Sequence, residues 1–128
     1  VLTSLKEKGH EIILITIRND KECAGENEAY RITKEWLEKY EIPYDELHTS
    51  IFDKKDFCFK NKIDVFMDDS IKNCMAVNEL GIKTFIAMNS FNLDFKDDNI
   101  TNVYSMYDFY NRILNIKSTD KRGEKYGL

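Results

Sequence analysis

The stretch IDVFMDDSIKN, residues 63–73, decides the fold. Val65, Phe66 and Met67 are an unbroken apolar run, which reads as a short strand buried on both faces rather than wetted on one. Asp68 and Asp69 follow at once, and Ser70 is a candidate N-cap for a helix over residues 71–80. Adjacent carboxylates at the end of a buried strand repel each other unless something positive stands beside them. A cation would resolve that conflict.

The same alternation extends in both directions. VLTSLKEKGHE reads as the tail of a helix with Leu2 and Leu5 inward, stopped at Gly9, and the strand IILITI, residues 12–17, follows directly. NELGIKTFIA, residues 78–87, repeats that joint of helix, Gly81 and apolar strand. Between them Ala29, Ile32, Trp36, Leu37 and Tyr40 form the stripe of an amphipathic helix ending before Pro43. LHTSI, residues 47–51, reads as a strand, KKDFCFKN as a short helix, and SMYDFYNRIL as a helix with Met106, Tyr107, Tyr110 and Leu114 inward. Strands alternating with helices predict a three-layer, Rossmann-like α/β domain over residues 1–116, its sheet mostly parallel and covered on both sides. The segment KSTDKRGEKYGL has no apolar period, so residues 117–128 are expected to be a solvated, flexible tail rather than a basic docking segment.

A chain of 128 residues, 42% hydrophobic with a single Pro, suits one domain with a real core. Its net charge of −4 excludes a phosphate-backbone surface, which needs clustered Lys and Arg. Cys23, Cys58 and Cys74 lack CxxC spacing and read as reduced thiols of a cytoplasmic protein, with Cys58 and Cys74 on inward helical faces. Even IILITI falls far short of the roughly 20 apolar residues that span a bilayer. His10 and His48 have no second ligand at metal spacing and read as structural or surface residues.

Ligands of such sheets lie beyond the C-terminal ends of the strands. There the sequence places Thr16 and Arg18, then Lys54 and Lys55 at the start of the short helix, then Asp68 with Asp69. A hydroxyl, an ammonium and paired carboxylates are the inventory of phosphoryl chemistry, where charge spread over the phosphoryl oxygens is met by a fixed cation, a metal ion and neutral donors. Oxygen ligands from Asp select a hard ion such as Mg²⁺. Taken singly, each feature has a plainer reading: the carboxylates as helix-capping anions, Thr16 as an ordinary strand residue, the lysines as solvated. Arg18 equally suits a phosphate contact or a pair with Asp20 or Glu22.

IILIT at 12–16, Lys54 and DVFMDDS at 64–70 resemble, in this order, the second, third and fourth motifs of the haloacid dehalogenase-like hydrolases. The segments KEKGHEIILITIR, EWLEKYEIPYDELH and ELGIKTFIAMNSFN look like the branch of the 5'(3')-deoxyribonucleotidases and bacterial nucleotidases, so that the resemblance spans residues 1–92. It implies a Mg²⁺-dependent phosphatase acting through an aspartyl-phosphate on a small phosphorylated metabolite, a nucleoside monophosphate being one such. Thr16 and the N–H of Ile17 would hold phosphate oxygens, with Arg18 and Asn73 on the substrate side and Asn73 also supporting the loop. Lys54 would neutralise the phosphoryl group, with Lys55 the alternative one position on, and Asp68 and Asp69 would hold Mg²⁺. The chain departs from the family after the strand that follows Gly81, carrying MNSFN where the nucleotidase-like proteins tend to have an acidic or Arg-Pro-Tyr-Asn stretch, with Asn92 the match to its final Asn.

The family's first motif, Asp-x-Asp after a strand, has no counterpart in these 128 residues. The chain opens on what reads as mid-helix, the expectation being a segment of a longer protein, inactive by itself. In the family the strand of the first motif lies between those ending at Thr16 and Asp68. Its loss would leave two apolar edges facing a gap, so the chain is expected to close its sheet differently, to pair with another copy, or to be poorly stable. The alternatives are a non-catalytic Mg²⁺-binding or regulatory domain and a purely structural α/β partner domain. Receiver-like modules use the same residue types with the acids first, whereas the order here is Thr, Lys, acids.

Overall fold

The computed structural model describes residues 2–16, 28–114 and 124–128. Helix α1 (Leu2–Glu7) buries Leu5 and stops at Gly9, whose φ of 87° suits a residue without Cβ. Strand β1 (Glu11–Ile15) follows, then α2 (Glu28–Lys39), β2 (Glu46–His48), α3 (Lys54–Lys60), β3 (Val65–Asp68) and α4 (Ile71–Asn78). Gly81, at φ 79°, makes the second such joint into β4 (Lys83–Ala87), and β5 (Ile100–Val103), α5 (Met106–Leu114) and β6 (Lys125–Gly127) complete the order. The six strands form one sheet in the order β2-β1-β6-β3-β4-β5, and every pairing is parallel. This is an α/β domain of Rossmann-like type. Among the described residues no helix is long and apolar enough to cross a membrane.

Helices α3 and α4 cover one face, where Ile13, Ile15, Phe57, Cys58, Phe66, Cys74 and Ile86 pack together. On the other face α1 and α5 close over Ile12, Val65, Phe85, Val103 and Tyr126. There α2 lies above β1 and β2, over a cavity of about 300 Å³ lined in part by Leu14, Thr33, Trp36, Leu37 and Leu128. Cys58 and Cys74 are buried, and burial first of all pushes both thiols up to about 12, far from a reactive thiolate. Cys23 lies outside the described residues.

The last strand departs from the expectation for residues 117–128. Of that segment the described part, 124–128, is no solvated tail: β6 is an interior strand. Gly127 pairs with Ile13 of β1 on one side and Phe66 of β3 on the other, and Tyr126 with Ile12 and Val65. Tyr126 is fully buried, its ring edge-on to Phe109 of α5 at 6.3 Å. A Cβ on Gly127 would stand 3.1 Å from Ile63 and 3.2 Å from Ile15, so the sheet closes over that position. Two side chains dock the start of the strand: Asp64 Oδ2 accepts from Lys125 N at 2.7 Å and His10 Nδ1 from Glu124 N at 3.2 Å. Of the outcomes open to a gapped sheet, closure by the chain's own segment is the one adopted, and the sheet edges are β2 and β5.

That strand also turns α5. Phe109, absent from the expected stripe, is its fully buried anchor, meeting Phe85 edge-on at 5.0 Å, while Tyr107 and Leu114 are exposed. Similarly Ala29 and Leu37 hold α2 down, while Trp36 and Tyr40 stack on each other outside, centroids 4.9 Å apart.

Candidate functional site

The site is built where β3 runs out. Asp53 caps α3 by accepting from Asp56 N at 3.0 Å, so the helix begins at Lys54 and its first side chain turns in toward the sheet. Lys54 Nζ donates to Asp68 Oδ2 at 2.8 Å, with both side chains about nine-tenths buried (9% and 10% exposed). Lys55 points elsewhere, pairing with the exposed Glu79 at 2.7 Å, so of the two lysines it is Lys54 that meets Asp68. Ser70 caps α4 by accepting from Asn73 N at 3.2 Å, which aims the Asn73 amide back at Asp68 Oδ2, 3.1 Å away. The other oxygen, Oδ1, accepts from the backbone N–H groups of Asp69 at 2.7 Å and Ser70 at 3.4 Å.

Both Asp68 oxygens are thus occupied by donors. Burial alone would raise its carboxyl, but the hydrogen bond and charge of Lys54, with Asn73 behind them, bring it below the ordinary carboxylate value. Asp69 is driven the opposite way. Contact with the Asp68 carboxyl comes first, then partial burial and the Asp68 charge, and together they raise it. Adjacent acids are in this way separated into a buried, ion-paired anion and an exposed one held against a like charge. Removing one partner of a buried pair such as Lys54–Asp68 typically costs about 3–5 kcal/mol, because the other is left desolvated and alone.

Thr16 follows β1, its main chain donating to His48 O at 2.9 Å and accepting from Ile51 N at 3.0 Å. Because Ile13 and Phe66 both lie opposite Gly127, Ile15 and Asp68 stand at one level, two strand spacings or roughly 10 Å apart across β6. Thr16, one residue further along, lines the cavity under α2, so the structure does not bring its side chain to the Asp68 carboxylate. Ile17 and Arg18 lie outside the described residues.

Two residues outside the expected set complete the surroundings of Asp69. Asn89 Nδ2 lies 3.3 Å from Asp69 Oδ2, and the buried Asn92 donates to Asp69 O at 2.9 Å. For Asn92 the resemblance offers the final Asn of the family's stretch; for the pair, the further signal is an Asn-x-x-Asn spacing just past a strand, which by itself reads as turn chemistry.

Among the described residues no three His, Cys, Asp or Glu side chains converge as a metal cluster. The donor set nevertheless fits a Mg²⁺ that keeps most of its waters, since that ion needs only one or two carboxylates. Asp69 has the acceptor capacity left over; Asp68 is filled. The arrangement can hold an anion near Lys54 only by competing with Asp68, and can hold a hard cation at Asp69. No protein-family model matches the chain, and no curated protein and no solved structure matches it either. What fold and site define without a relative is a Rossmann-like α/β domain with a charged centre at the end of a central strand.

Proposed function

We propose that this chain is the core of a Mg²⁺-dependent phosphate-monoester hydrolase of the haloacid dehalogenase-like class, nucleotidase-like, acting through an aspartyl-phosphate. One observation carries the reading: a buried lysine from one helix and a buried aspartate from the end of a central parallel strand meet at 2.8 Å, at the end of the sheet where such folds bind ligands. An ammonium and a carboxylate are kept together inside a core at a desolvation cost that packing alone does not require. In this reading Mg²⁺, when bound, offsets charge between carboxylates and phosphate, with Asp69 as its open ligand. Lys54 would shift from Asp68 toward the phosphoryl oxygens and Asn73 would keep Asp68 in place, while the resemblance assigns phosphate contacts to Thr16, Ile17 and Arg18. The resemblance would put the attacking carboxylate of the first motif at the strand position that β6 holds here.

The occupied slot favours a second reading, a non-catalytic Mg²⁺-binding or regulatory domain, because β6 stands where the nucleophile strand would run. Both readings require the cation. Thermal unfolding with and without millimolar Mg²⁺ tests it: a ligand that binds only the folded state raises stability by mass action. The expected result is a Mg²⁺-dependent rise in Tm that Asp69→Asn abolishes, and no rise would overturn the metal role in either reading. Turnover of a phosphate monoester by these 128 residues, lost in Asp68→Asn, would overturn the external nucleophile.

A further inference from the structure

Apart from Asp68, whose side chain is 10% exposed, the described residues bury three polar or charged side chains: Lys54, Thr84 and Asn92. Lys54 is the site cation, and Thr84 returns its hydroxyl to Ile82 O at 2.9 Å, just ahead of its own strand. Asn92 is the one that joins separate segments. Its Nδ2 donates to Asp69 O at 2.9 Å and to Ala87 O at 3.0 Å, and its Oδ1 accepts from Asn89 N at 2.7 Å. Both donor positions of the amide are used and the carbonyl accepts once, three of the four hydrogen bonds an Asn side chain can make.

The placement of these bonds is informative. Asp68 pairs with Ile86 as the last rung of the β3–β4 ladder, so Asp69 and Ala87 are the first residues beyond it. Asn92 bridges their two carbonyls and continues the ladder by one side-chain rung. Asn89, held by the same amide, then sets its own Nδ2 3.3 Å from Asp69 Oδ2 and accepts from Phe91 N at 2.8 Å. One buried amide thereby governs the main chain of the open carboxylate and, through Asn89, its side-chain direction.

We propose that Asn92, with Asn89, is a positioning residue for the cation site: it holds Asp69 in the orientation in which its carboxylate meets Mg²⁺ while Asp68 stays with Lys54. The inference rests on the reading of Asp69 as the metal ligand. Without the bridge, Asp69 lies next to a like charge on an exposed turn and its carboxylate is free to swing into solvent. Outer residues that orient a ligand typically change metal affinity about 10- to 100-fold when lost.

The test is calorimetric titration of Mg²⁺ into the 128-residue chain and its variants, at a temperature where circular dichroism finds each folded. Asn92→Asp keeps the shape but turns an oxygen toward one or both carbonyls, and its expected Mg²⁺ affinity is about 10- to 100-fold weaker. Ile100→Val, remote from the turn, is the control for stability loss alone and should bind as the wild type does. Asn89→Ala, on the exposed part of the turn, covers the case in which Asn92→Asp does not fold, with a smaller loss in the same direction. Wild-type affinity in whichever of Asn92→Asp and Asn89→Ala is folded would overturn the positioning role, leaving Asn92 a turn residue. Absence of Mg²⁺ binding by the wild type would overturn the metal reading itself, and is seen before any variant is made.

Discussion

Strands β3 and β6 lie side by side at the centre of the sheet and are specified in opposite ways. β3 is Val-Phe-Met-Asp, apolar up to the residue that carries its chemistry, and buried at Val65 and Phe66. β6 is Lys-Tyr-Gly and buries Tyr126 and Gly127. The first brings its own hydrophobic payload; the second is defined by the slot it enters. Its backbone satisfies β1 and β3 at once, Tyr126 plugs the face under α5, and Gly127 passes where the opposite face has no room for more. A central position in a parallel sheet can therefore be held by a segment with little intrinsic strand character, provided both neighbours are already in register.

The strongest way to break that comparison is to empty the slot. A chain ending at Arg122 loses the Tyr126 packing, for which aromatic-to-Ala changes alone cost about 3–5 kcal/mol, along with the ladder on both sides. Against a total stability of about 5–15 kcal/mol for an ordinary domain, that removes a large share and bares two apolar edges. Thermal melts with light scattering should find a broadened transition and association. A truncated chain that stays monomeric and melts like the parent would mean that β1 and β3 tolerate separation.

A subtler probe leaves the strand in place. Gly127→Ala inserts a methyl 3.1 Å from Ile63, 3.2 Å from Ile15 and 3.4 Å from Phe66, all contacts with side chains that can shift. Overpacking of this kind costs about 1–3 kcal/mol. Chemical denaturation should report a lower midpoint with unchanged slope, and an unchanged midpoint would mean that the slot is looser than its geometry.

The same contrast explains what could be read in advance. β1, β3 and β4 carry dense apolar runs, and the joints at Gly9, Gly81 and Ser70 are local backbone chemistry, so all were legible from neighbours in sequence. β5, Ile-Thr-Asn-Val at the sheet edge, has a weaker pattern and was missed. Nothing in Lys-Tyr-Gly announces burial, so β6 reads as solvated tail, and the rotation of α5 that puts Phe109 rather than Tyr107 inside is equally silent in the sequence. Within the site, Lys54 and Asp68 were legible from the order of residue types along an α/β chain. Asn92 was not assigned its bridging role, since its function depends on where the ladder of two other segments ends.

The smallest expected effect separates the two acids that close β3. The Asp69 carboxyl is raised in the folded state, so ionising it works against folding: the cost sets in as pH climbs through the unfolded value near 4 and is complete above the folded one. Asp68 is lowered and has the opposite sign, its stabilisation present above the unfolded value and lost as pH falls through the folded one. Asp69→Asn should therefore be slightly more stable than the wild type at neutral pH in chelated buffer, by less than about 1 kcal/mol because the group is exposed and screened, with the difference vanishing in acid. Adding millimolar Mg²⁺ should reverse the order, since only the wild type keeps the carboxylate that binds it. Paired Tm curves from pH 3 to 8, with and without the ion, decide the matter. A variant less stable than the wild type in chelated buffer would mean that Asp69 serves the fold as an N-terminal anion for α4, whereas a reversal on adding Mg²⁺ would mean that the end of β3 keeps a repulsive carboxylate for the sake of the cation.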